Sequence, residues 1–72
     1  MSRLHPLRPR EIERVLLQSG FHFDHQTGSH RVYRNSATQR TAVVPFHPRD
    51  LPVFLVARIA KQAGLPNSAF MT

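Results

Sequence analysis

The sequence has no cysteine and no tryptophan, and it sets only four acidic residues against ten basic ones in 72 positions. Without cysteine there is no disulfide, no thiolate metal site and no thiol nucleophile. Long apolar runs are missing as well. The longest, residues 53–57, is bounded by Pro52 and Arg58, far short of the roughly 18 residues that a membrane span needs. The first residues place His5, Pro6 and Pro9 among arginines and contain no apolar stretch of the kind an export signal carries. These shortages point to a cytoplasmic protein. The short length excludes more: it makes one domain with one small core, so any chemistry takes place on an open face rather than in an enclosed cleft.

What the chain has in excess is arginine, nine of the ten cations, giving a formal net charge of +6 and a pI near 11.7. A hydrophobic content of 40% is enough for a folded core, so the charge decorates a folded surface rather than a disordered tail. The planar guanidinium fork matches phosphate geometry, which makes nucleic acid the leading partner class. An acidic protein partner would satisfy the same charge.

The apolar pattern predicts an α+β domain. Residues 10–19 read as a helix: Pro9 suits a first helical position, Glu11 and Glu13 complement the positive end of the dipole, and Ile12, Val15 and Leu16 keep helical spacing. Gly20 ends it, and a left-handed conformation there would fold Phe21 back onto Leu16. Residues 21–25 alternate as a strand, with Phe21, Phe23 and His25 on one side and His22 and Asp24 on the other. A turn follows over 26–29, with Gly28 the position able to take a positive φ. Residues 30–35 form a second strand whose faces cannot be assigned from pattern, because Arg31 and Arg34 flank Val32 and Tyr33. Residues 40–44 form a third strand, stopped by Pro45. A second helix opens at Pro52 and carries Val56, Ile59, Ala60 and Ala63 to Gly64 and Pro66. The order is αβββα: an antiparallel three-stranded meander, two helices on one face, and the other face open as a working surface. Residues 1–8 read as a loose basic arm and 9–72 as the single domain.

Few catalytic chemistries fit this inventory. The carboxylates at 11, 13, 24 and 50 are scattered, no Gly-x-Ser-x-Gly elbow exists and there is no P-loop. Five histidines remain, at 5, 22, 25, 30 and 47, the side chains that ordinarily exchange protons near neutrality. His22, Asp24 and His25 are close in sequence, but alternation separates His25 from the other two unless a bulge intervenes, so no metal site is expected. His30 stands out. It follows Gly28 and Ser29 at the start of a strand, beside Arg31 and Arg34, with Arg40 brought near by pairing across the 35–39 turn. Surrounding cations favour the neutral, proton-accepting imidazole. RNA carries its own nucleophile in the 2′-hydroxyl, so its cleavage needs only a base, cations on the charged phosphorane and an acid for the leaving oxygen. No cofactor is called for. The plain alternative for His30 is a structural turn residue.

Taken together, Pro9-Arg10-Glu11-Ile12, Ser19-Gly20-Phe21, Gly28-Ser29-His30 with Tyr33, Val43-Val44-Pro45 with His47, and Lys61-Gln62-Ala63-Gly64-Leu65 with Phe70 resemble the HicA (YcfA-like) toxins, messenger-RNA interferases of bacterial toxin–antitoxin pairs. The resemblance implies a double-stranded-RNA-binding-like fold, endoribonuclease activity on mRNA, and neutralisation by a HicB antitoxin in a hetero-oligomeric complex. It places the family's catalytic histidine on His30. Gly28 and Ser29 before it are auxiliaries, as is His47, which a strand-end loop could swing toward the same face as a second proton-transfer group or which caps backbone groups near the second helix. The expected RNA contacts are Arg31, Arg34, Arg40 and Lys61. One departure stands out: where the family has a polar Gly-Thr pair at the start of the second helix, this chain has Phe54 and Leu55 after Val53. Either the helix begins earlier and these residues join the core, which is the preferred reading, or they present an apolar patch to a partner. The rival function is a non-catalytic RNA-binding module on the same fold. A DNA-binding regulator is disfavoured, since no helix-turn-helix pattern is present.

Overall fold

The structure, a computed structural model, describes residues 3–71. Its elements run α1 (Pro9–Gln18), β1 (His22–Thr27), β2 (His30–Asn35), β3 (Arg40–Pro45) and α2 (Val53–Ala63), followed by a short 3₁₀ turn over Asn67–Phe70. The strands pair antiparallel in the order β1-β2-β3. This is the expected αβββα architecture.

Helix α1 starts at Pro9, and the Glu11 carboxylate accepts the Arg8 backbone N–H at 3.1 Å, so an acidic side chain occupies the positive end of the dipole. At its other end Gly20 takes φ +93°, and the Phe21 N–H donates back to the Leu16 carbonyl at 3.0 Å. Phe21 is thereby buried beneath α1. Ile12 and Leu16 from α1, Val56, Ile59, Ala60 and Ala63 from α2, and Tyr33, Ala42 and Val44 from the sheet form one core, closed by Phe70. Both helices cover the same face. Of the arm expected over 1–8, residues 1 and 2 lie outside the described residues, and Leu7 is not loose. It exchanges backbone hydrogen bonds with Leu51 at 3.2 and 2.7 Å, and both side chains are buried, because an apolar side chain next to the core gains more by burial than the arm loses in freedom.

Helix α2 begins at Val53, as the earlier-start reading requires. Only Leu55 then packs against the core, whereas Val53 stays 40% and Phe54 65% exposed. Helical spacing explains the difference. Phe54 shares the outer stripe with Arg58 and Lys61, and the side chain of Val53, at the first helical position, tilts past the helix end.

Strand β1 departs from simple alternation. Its register with β2 slips between Phe23, paired with Tyr33, and His25, paired with Val32. Asp24 is the extra residue of a β-bulge. The bulge leaves Phe23 on the helix side, edge-on to Tyr33 at 5.9 Å between centroids, and turns His25 to the open side with His22. The expected separation of His25 from His22 is therefore corrected.

Asn35 joins the β2–β3 hairpin to the end of α1. Its Nδ2 donates to the Ser19 carbonyl at 3.3 Å, and its Oδ1 accepts the N–H groups of Ala37 and Thr38 at 2.9 and 3.3 Å. It is buried, so Asn35→Ala removes these three part-buried hydrogen bonds together. A loss of about 1–3 kcal/mol is expected, read from the midpoint of urea unfolding at unchanged slope.

Candidate active site on the open sheet face

The register assigns the two faces of β2 that pattern left open. Arg31, Tyr33 and Asn35 point toward the helices, and His30, Val32 and Arg34 point away from them. Their cross-strand partners continue the open face: His22, His25 and Thr27 on β1, and Thr41, Val43 and Pro45 on β3.

His30 is exposed at the start of the central strand, directly after a two-residue turn. Gly28 takes φ +59° there, a conformation costly for residues with a Cβ, and Gln26 Nε2 donates to its carbonyl at 2.8 Å. The Ser29 carbonyl accepts the Phe46 N–H at 2.7 Å, which ties the hairpin to the chain leaving β3. The imidazole thus stands on backbone held from both sides. It borders an open cleft of about 190 Å³ whose other walls are Val43 and Pro45 of β3 and Leu55, Arg58, Ile59 and Gln62 of α2. Gln62 sets the position of that helix: its Oε1 accepts the Val43 N–H at 3.0 Å, covering an outward donor of an edge strand. Arg58, one turn earlier, is exposed and lines the same cleft.

The expected cations do not converge on His30. Arg34 shares its face and is exposed. Arg31 lies on the helix side, where its guanidinium donates to Glu13 at 3.1 Å and to Gln26 at 3.2 Å and stacks over the Phe46 ring 4.1 Å from the centroid. Arg40 pairs with Asn35 on the same side, its side chain lying across Gly64. Lys61 is exposed on the outer surface of α2, outside the cleft. His47 lines a separate cleft of about 350 Å³ with Arg8, Pro9, Arg10 and Phe46. Strand alternation accounts for this sorting: neighbours in sequence such as His30 and Arg31 face opposite ways.

Arg58 and Gln62 were not singled out in the sequence. Their i, i+4 spacing on the flank next to Leu55 and Ile59 was visible, but which sheet edge that flank would meet was not. A second unforeseen group is Asp24 with His25. The His25 Nδ1 donates to Asp24 Oδ2 at 2.7 Å. This hydrogen bond, with the charges of Arg34 and His22 adding to it, holds the Asp24 carboxyl below the usual carboxylate range. Among the described residues no group of three or more histidine, cysteine or carboxylate side chains is arranged to hold a metal ion, and no helix is long and apolar enough to cross a membrane.

A search of curated proteins finds no match. A family model does match: the HicA toxin of bacterial toxin–antitoxin pairs aligns with residues 9–65, a span running from the first residue of α1 past the end of α2 and including the hairpin that carries His30. With the αβββα order and most of the chain inside that match, this protein belongs to the HicA toxin family, and an antitoxin is its partner class.

Proposed function

We propose that this toxin is an endoribonuclease that cleaves mRNA at an RNA phosphodiester, using His30 as the proton-transfer residue, and that a HicB antitoxin neutralises it by covering the open face. The observation that supports this best is an exposed imidazole, on a hairpin held from both sides, lining a shallow cleft that Arg58 also lines. His30 accepts the proton of the ribose 2′-hydroxyl, and the freed oxygen attacks the adjacent phosphorus. Arg58 and Arg34 offset the charge that builds on the phosphorane oxygens. The P–O5′ bond then breaks, leaving a 2′,3′-cyclic phosphate and a 5′-hydroxyl.

The deciding experiment incubates purified protein with RNA in excess chelator, beside His30→Ala. Cleavage by the wild type, with cyclic phosphate ends, and intact RNA with the variant are the expected results. RNA bound but left whole by both would establish the rival, a non-catalytic RNA-binding module. Binding alone does not separate the two, because either one loses affinity with salt at a log–log slope of about −0.7 per neutralised phosphate on single strands.

A further inference from the structure

The ribonuclease reading leaves the leaving-group proton without a donor. We propose that His25, oriented by Asp24, is that donor: the general acid that protonates the departing 5′-oxygen while His30 serves as base. The inference rests on that reading and adds a second catalytic residue to it.

Three observations carry it. First, the bulge at Asp24 is what brings His25 to the working face, since uninterrupted alternation would leave it with Phe23 on the helix side. Bulges re-aim side chains in this way next to active sites. Second, the register puts His25 opposite Val32 and His30 opposite Thr27, so the two imidazoles are diagonal cross-strand neighbours on one face. Such pairs lie roughly 7–8 Å apart along the backbone, a separation that leaves room for a phosphorus with an oxygen at each apex and a ring nitrogen bonded to each. Third, the two histidines differ in their partners. Nδ1 of His25 is engaged by a carboxylate at 2.7 Å, which fixes the ring and leaves Nε2 as the nitrogen available to a leaving oxygen. Among the described residues His30 has no carboxylate partner, and it lines a cleft that Arg58 also lines. Unequal surroundings of two titratable groups divide acid from base. The groups facing the dyad are His22 on its own strand and Arg34 on β2.

The protons balance within one turnover. His30 takes the 2′-hydroxyl proton, O2′ bonds to phosphorus, P–O5′ breaks, and the His25 imidazolium gives its proton to O5′. His30 ends protonated and His25 neutral, and exchange with water resets both.

Two substrates test this. One is a diribonucleotide, whose 5′-oxygen needs a proton to leave. The other is the p-nitrophenyl ester of uridine 3′-phosphate, whose nitrophenolate leaves without one. His25→Ala, exposed and so expected to melt with the wild type, should slow dinucleotide cleavage by about 10²–10⁴-fold and leave nitrophenyl release unchanged. His30→Ala should slow both. Asp24→Asn, which loses the carboxylate that holds the His25 ring, should slow dinucleotide cleavage and leave nitrophenyl release unchanged. An equal loss on both substrates, or no loss on either, for His25→Ala would overturn the assignment while leaving His30 in place. A wild type that cuts neither substrate nor RNA would overturn the ribonuclease reading and this inference with it.

Discussion

Arg58→Ala is expected to slow RNA cleavage by about 10²–10³-fold, the cost of removing one positioned donor from a developing oxyanion, with little change in melting temperature. Arg58 is exposed on α2 and lines the cleft opposite His30, so its truncation removes charge from the phosphate path without opening the core. Arg31→Ala should behave in the opposite way. Its guanidinium is engaged with Glu13, Gln26 and the Phe46 ring on the far side of the sheet, so the turnover of each folded molecule should hold while the melting temperature falls. Single-turnover rates on RNA, beside thermal melts of both variants, separate the two roles. The reverse pattern, with Arg31→Ala inactive but stable and Arg58→Ala fully active, would mean that RNA approaches the helix-side edge instead.

Glu13→Ala should destabilise the fold by about 2 kcal/mol. The carboxylate of Glu13 accepts hydrogen bonds from both the Tyr33 hydroxyl and Arg31, joining the middle of α1 to the central strand over a ring that has no solvent exposure. Removing it leaves the phenol without this acceptor and takes from the guanidinium one of its two side-chain acceptors. A core of this size supplies only about 3–5 kcal/mol in total, so the loss is a large fraction of the whole.

The same contact makes folding sensitive to alkali. Burial, and secondarily the hydrogen bond to Glu13, push the Tyr33 phenol well above its ordinary range. The folded state therefore keeps a proton that the unfolded chain gives up near pH 10. Stability from this group is intact below about pH 10 and declines as pH rises beyond it, by up to about 1.4 kcal/mol per pH unit. Urea midpoints measured across that window should fall for the wild type and fall less steeply for Tyr33→Phe, which keeps the ring and loses the titrating hydroxyl. Parallel slopes in the two proteins would place the alkaline sensitivity elsewhere.

Much of the molecule was legible along the chain, because local rules suffice for it. Proline and glycine punctuate the helices, Gly28 marks a turn, and helical spacing identifies Ile12, Leu16, Val56, Ile59 and Ala60 as interior. Short connections require the strands to pair antiparallel. The choice of His30 also came from local features: a glycine-permitted turn, a strand start and flanking arginines.

The partners of His30 could not be obtained that way. A bulge changes which side every later residue of its strand faces, and nothing in the alternation of residues 21–25 announces one at Asp24. Arg31 and Arg40 look like phosphate contacts from proximity in sequence, yet alternation together with register sends both to the helix side. Arg58 shares a cleft with the histidine on a helix that Gln62 joins to the outer edge of β3. The sequence by itself determined the element order and much of the core, since each depends on spacing within one element, and it put His30 at the start of a strand after a glycine turn. Tertiary structure alone decided which charges and which second histidine share its face, because that depends on register and on the docking of a helix distant in sequence.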